Sequence, residues 1–113
     1  MFRYILSLII FLHGSVHLAG TAQSYGYNIP QLTQDVPRIV GSCWLITAFL
    51  FFAASILLVM KKELWFMLAS MGIIASQMLI ILDWADAKWG SAVNLVLLLA
   101  VIVEFYNRSV TDR

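Results

Sequence analysis

Four apolar runs, at 2–18, 39–60, 64–82 and 92–106, fill most of this chain and leave only short connections between them. A bilayer's hydrocarbon core of ~30 Å takes ~20 helical residues to cross, so runs of this length read as spanning helices rather than as the core helices of a soluble domain. Composition agrees. With 62% hydrophobic and 12% charged residues, a soluble domain of 12.7 kDa would carry far more apolar surface than it could bury. The expected solvent is lipid. The reading is one domain, residues 1–113, all-α: an integral membrane four-helix bundle of up-down-up-down topology, with helices about 2–20, 38–60, 64–84 and 91–107.

Charge and motif content narrow the function classes. A net charge of +1 offers no basic field to nucleic acid. The single cysteine, Cys43, leaves no intrachain disulfide to form. The chain has no Gly-rich phosphate loop, nucleophile elbow or zinc-protease helix, so nothing marks a soluble enzyme, and whether any reaction is catalysed stays open. Arg3, the apolar run after it and Ala19-Gly20-Thr21-Ala22 have the outline of a signal peptide. A passive export signal has no use for His13 and His17, so a first transmembrane helix is the better reading.

Lysines and arginines set the expected threading. With the N-terminus cytoplasmic, the inner side holds Arg3, Lys61, Lys62, Arg108 and Arg113, and the outer side only Arg38 and Lys88. Both termini are therefore expected inside, in what reads as a bacterial inner membrane. Tyr4, Trp65 and Tyr106 then fall at the inner interface and Tyr25, Tyr27, Trp84 and Trp89 at the outer one, as anchoring rings do. The longest connection, 21–37, carries turn chemistry at Tyr25-Gly26-Tyr27-Asn28 and Pro30 and is long enough to act as a lid or to be a plain connector. Asp35 is expected to cap the second helix, with Pro37 in its first turn.

Polar residues concentrate on two faces. At ~100° per residue, Ser7, His13, Gly14, His17, Gly20 and Thr21 share an arc of ~140° on the first helix, with Ser15 the one exception. Ser70, Gly72, Ser76, Gln77 and Asp83 share ~160° of the third. An imidazole facing lipid has nothing to bond, so these faces must meet. At ~1.5 Å per residue His17, Gln77, Cys43 and Asn94 reach one level, ~22 Å above the inner surface, with His13 ~6 Å lower near Thr47 and Asp83 and Asp86 at the outer mouth. His13, His17, Gln77, Asn94, Cys43, Asp83 and Asp86 are thus the candidate ligand-binding residues. The plain alternative is packing glue, buried amides and imidazoles bonding across helices. Two histidines at i, i+4 also admit a metal, with Asp83 or Asp86 completing a two-histidine, one-carboxylate set, but Asp83 sits too shallow to reach His13 without a bend. The stretch Asp83–Gly90 reads either as an interfacial turn or as a polar gate, with Arg38 as partner for either aspartate.

The first-helix stretch Phe11-Leu12-His13-Gly14-Ser15-Val16-His17-Leu18-Ala19-Gly20, an apolar run ending in His-Gly and a small-residue turn, resembles that of DoxX-like membrane proteins. A Pro-containing outer loop, a small-residue-rich second helix and two further helices extend the resemblance over most of the chain. Ser76-Gln77 through Asp83-Trp84-Ala85-Asp86-Ala87-Lys88-Trp89-Gly90 is similar to a branch of such proteins without an attached function. The resemblance implies a compact four-helix membrane bundle associated with quinone-linked or sulfur-linked redox complexes. His17 and the paired aspartates, though within these stretches, do not map onto that activity.

Three functions follow as expectations. The leading one is an outer-half pocket that binds a quinone-like or other small apolar ligand, with His17, His13, Gln77 and Asn94 supplying hydrogen bonds and a histidine, of reference pKa ~6.5, handling a proton. The second is a noncatalytic assembly subunit of a larger membrane complex. The third is proton-coupled transport by a homo-oligomer, for which the chain is short.

Overall fold

A computed structural model of the chain describes residues 2–27 and 35–111, with side chains as far as Asn107. Asn28, Pro30 and the rest of 28–34 within the lid segment lie outside the described residues, as does Arg113. Among the described residues the structure is helical throughout: α1 (Phe2–Ser24), α2 (Arg38–Val59), α3 (Trp65–Leu82), the single turn α4 (Trp84–Ala87) and α5 (Gly90–Thr111). Four of these, all but α4, are long and apolar enough to cross a membrane. At ~1.5 Å per residue a 22-residue helix spans ~33 Å, and the molecule is 50 × 22 × 22 Å, a bilayer-length rod. Large apolar side chains stand exposed on every spanning helix, among them Leu12, Ile46, Ile74 and Val96.

The helix ends depart from the sequence reading where packing or hydrogen bonding rewards an extra turn. α1 runs through Ser24 rather than stopping at 20, because Thr21 donates to the Gly41 carbonyl at 3.0 Å. It then closes with Tyr27 N–H on Ala22 O and Gly26 N–H on Gln23 O, Gly26 being left-handed at φ 92°. α2 ends the same way, with Lys62 N–H on Leu57 O and Lys61 N–H on Leu58 O, but the left-handed residue is Lys61, φ 61°. α5 continues helical through Thr111, past the expected end near 107. α3 stops at Leu82, and residues 84–87 form the separate turn α4. Asp35 does not cap α2. Pro37 occupies the cap position and makes no side-chain cap bond, since Asp35 precedes it by two residues.

α1 and α2 pack along their whole length. Ser7 meets Ser55, Gly14 meets Ala48 and Phe51, and Thr21 meets Gly41, rising numbers on one helix against falling numbers on the other. Gly14 makes this approach feasible: a Cβ there would sit 2.8 Å from the Phe51 Cβ. Each of Ser7 and Ser55 donates to the other's backbone carbonyl at 2.9 Å. Below the histidines lies an apolar core of Leu6, Ile10, Phe51, Trp65, Ile73 and Leu97, and above them a smaller one of Trp44, Leu79 and Ile80. Trp65 is therefore a core residue, 1% exposed, and not the interfacial anchor its position suggested, whereas Tyr4, Tyr106, Trp84 and Trp89 are exposed. α5 is the least embedded span. Only 17% of its apolar window is buried, against 39% for each of the other three.

Candidate functional site

Three helices meet in a hydrogen-bonded layer between the two apolar cores. α1 presents His13 and His17 one turn apart, their rings edge to face with centroids 4.8 Å apart. α3 contributes Ser76 and Gln77, and α5 contributes Ser91 and Asn94. His13 Nε2 lies 2.8 Å from Asn94 Oδ1, and Asn94 Nδ2 donates to Ser76 Oγ at 3.0 Å and to Gln77 Oε1 at 3.2 Å. Ser76 Oγ lies 2.7 Å from His17 Nε2, His17 Nδ1 lies 2.9 Å from the His13 carbonyl, and Gln77 Nε2 donates to Ser91 Oγ at 2.9 Å. His13, His17, Ser76 and Asn94 are all buried. α2 adds no hydrogen bond to the layer but walls it with aromatic rings: Phe51 lies 5.1 Å from His13 and 5.5 Å from His17, and Trp44 lies 5.1 Å from His17.

His13, His17, Gln77 and Asn94 are thus brought together, in a different pairing from the one their depths suggested. Asn94 bonds His13 rather than the level of His17, and the bond to His17 comes from Ser76. Cys43 stays outside. It is exposed and lines an apolar groove with Ile46, Thr47, Ala75, Met78, Leu79 and Leu82, because it falls on the side of α2 turned away from α1. Thr47 bonds back to the Cys43 carbonyl at 2.8 Å instead of joining the layer.

Above the layer opens a cavity of about 220 Å³ bounded by His13, His17, Gly20, Trp44, Ile80, Asp83, Asp86 and Trp89. Asp83 is less shallow than expected: it is buried and shares this wall with both histidines. Burial pushes its carboxyl above the usual carboxylate range, and the neighbouring Asp86 charge adds to the shift. Arg38 places its guanidinium carbon 5.4 Å from the centre of the Tyr25 ring. The two-histidine, one-carboxylate set does not assemble. Among the described residues no three His, Cys, Asp or Glu side chains are grouped to hold a metal ion, and three of the four ring nitrogens are already turned to neutral partners.

Trp44 is the residue that sequence reasoning missed. Its indole lies flat against Gly20, where a Cβ would come within 2.7 Å of the ring. Its Nε1 is the only buried side-chain nitrogen or oxygen without a hydrogen-bond partner among the described residues. A buried N–H left unmatched costs roughly 1–3 kcal/mol, so native structures rarely keep one without reason. Ser76 and Ser91 were equally hidden as bridges. A serine in an apolar helix ordinarily bonds its own preceding turn, as Ser15 and Ser42 do here at 3.0 Å, and nothing local distinguishes one that reaches across.

No family model matches the chain, and neither a curated protein nor a solved structure matches it.

Proposed function

We propose that this is a membrane-embedded binding protein for a small, largely apolar molecule with a polar head. Its bundle is up-down-up-down with both termini cytoplasmic, so the cavity opens toward the outer leaflet. The observation that carries the reading is the cavity above the histidine layer, an apolar space lined by His13, Asp83 and Trp44, whose buried N–H has no partner among the described residues. Apolar walls with a few fixed polar groups are the usual make-up of a small-molecule site. At about 220 Å³ the space takes a one- or two-ring head group, with any tail leaving into lipid. Quinone-like molecules have this form, and the DoxX-like resemblance of the first helix favours a redox-linked role for them. The layer below holds the floor rigid, each of its members fixed by at least one neighbour.

Native mass spectrometry of protein extracted in mild detergent tests the reading. The expected result is an adduct of small organic mass that Trp44→Phe and His13→Phe lose while remaining folded. A protein that carries no adduct but holds a second polypeptide would replace the proposal with an assembly role.

A further inference from the structure

The direction of every hydrogen bond in the layer follows from one backbone carbonyl. All partners of the two imidazoles are neutral groups, and a lone buried ion is costly, so both rings are taken as neutral. The His13 carbonyl can only accept, so His17 Nδ1 carries the proton and His17 Nε2 is a bare lone pair. Ser76 must then donate its hydroxyl proton to His17. Ser76 Oγ consequently accepts from Asn94, which fixes the amide with its NH₂ toward Ser76 and Gln77 and its oxygen toward His13. His13 Nε2 is therefore protonated, and Nδ1 of His13 is a lone pair that no described residue engages.

Resting on the binding function proposed above, we propose that the cavity selects a molecule that donates a hydrogen bond, a hydroxyl or N–H, to Nδ1 of His13 and accepts one from Nε1 of Trp44. Both residues line the cavity, His13 with an unused acceptor and Trp44 with an unused donor that is covered until the indole tilts toward an occupant. Phenols and hydroquinones match this pair. A quinone carbonyl or an ether oxygen matches only the tryptophan and sets its lone pair against that of His13. A site built to pair a polar group discriminates strongly against an analogue lacking it, because the site's own group is left unpaired. If the occupant is of the quinone type, the reduced form is the one retained.

The test uses the full chain, ¹⁵N-labelled at histidine, in detergent micelles, with 1-naphthol and 1-methoxynaphthalene as probes. Neither probe alkylates the exposed Cys43 as a benzoquinone would. Without probe, ¹⁵N spectra should show His13 protonated at Nε2 and His17 at Nδ1. Naphthol should shift the His13 Nδ1 resonance and bind roughly tenfold tighter than its methyl ether, a difference of about 1.4 kcal/mol, and His13→Phe should erase that preference. The wild-type spectra stand even if the variant fails to fold. A proton found on His13 Nδ1 without probe overturns the inference. So does equal affinity for the two probes with His13 unmoved, although the apolar cavity reading then survives. Failure of both probes to bind overturns both.

Discussion

Ser76 lies 2.7 Å from His17 and 3.0 Å from Asn94, so a single hydroxyl on α3 joins a side chain of α1 to one of α5. It gives its proton to the imidazole and takes one from the amide, and no other described group is placed to do both. Ser76→Ala should leave a buried lone pair and a buried N–H unmatched, lowering stability by about 1–2 kcal/mol. Thermal unfolding in detergent checks this, with Ser15→Ala as the control. Ser15 bonds only its own helix, and its loss should change little.

Gly20→Ala should disturb the cavity without touching the hydrogen-bonded layer. The new methyl would sit 2.7 Å from the Trp44 indole, forcing the ring toward the space it lines. The expected result is a shift in tryptophan emission and loss of the bound adduct, with helix content unchanged by circular dichroism.

Asp83 gives stability a pH dependence whose sign is fixed. Its folded pKa is raised, first by burial and then by Asp86, so the folded state favours the protonated carboxyl. Its contribution is complete below the unfolded value near 3.8 and is lost as pH rises through the higher folded value. Asp83→Asn should remove that dependence and raise the melting temperature at neutral pH. A variant that melts lower than wild type at neutral pH would show that the carboxylate has a favourable partner there.

Lys61 holds a left-handed backbone at the end of α2, a conformation that costs a residue with a Cβ roughly 1 kcal/mol. The corresponding position after α1 is Gly26. Lys61→Gly should therefore stabilise the protein by up to about 1 kcal/mol, provided the lysine charge adds nothing at the interface, and Lys61→Ala should not. Chemical unfolding of the two variants separates backbone strain from charge.

Much of the fold was legible because lipid enforces it. Spans of about 20 apolar residues can only be helices, and the faces bearing His13, His17, Ser76 and Gln77 had to turn inward. The pairing was not legible, since axial depth is measured along each helix and says nothing of how far a side chain reaches. Asn94 stretches to His13, while Cys43, placed at the same level, points away. Trp44 escaped notice because an indole in an apolar run carries no local sign of whether its N–H will find an acceptor. Trp65 misled for a related reason: an aromatic at a helix start suits the headgroup region, yet three neighbouring helices enclose it.

The weakly embedded α5 carries the most connected residue of the layer, for Asn94 reaches His13, Ser76 and Gln77 from a span only 17% buried. Apolar contacts embed this span less than the others, and the Asn94 carboxamide, with Ser91 bonded to Gln77 beside it, acts as its latch. During insertion the first three spans can gather as a preformed cradle, and the fourth then docks by its polar face, Asn94 foremost. Asn94→Leu should accordingly yield a protein that inserts fully but whose final helix crosslinks poorly to the rest.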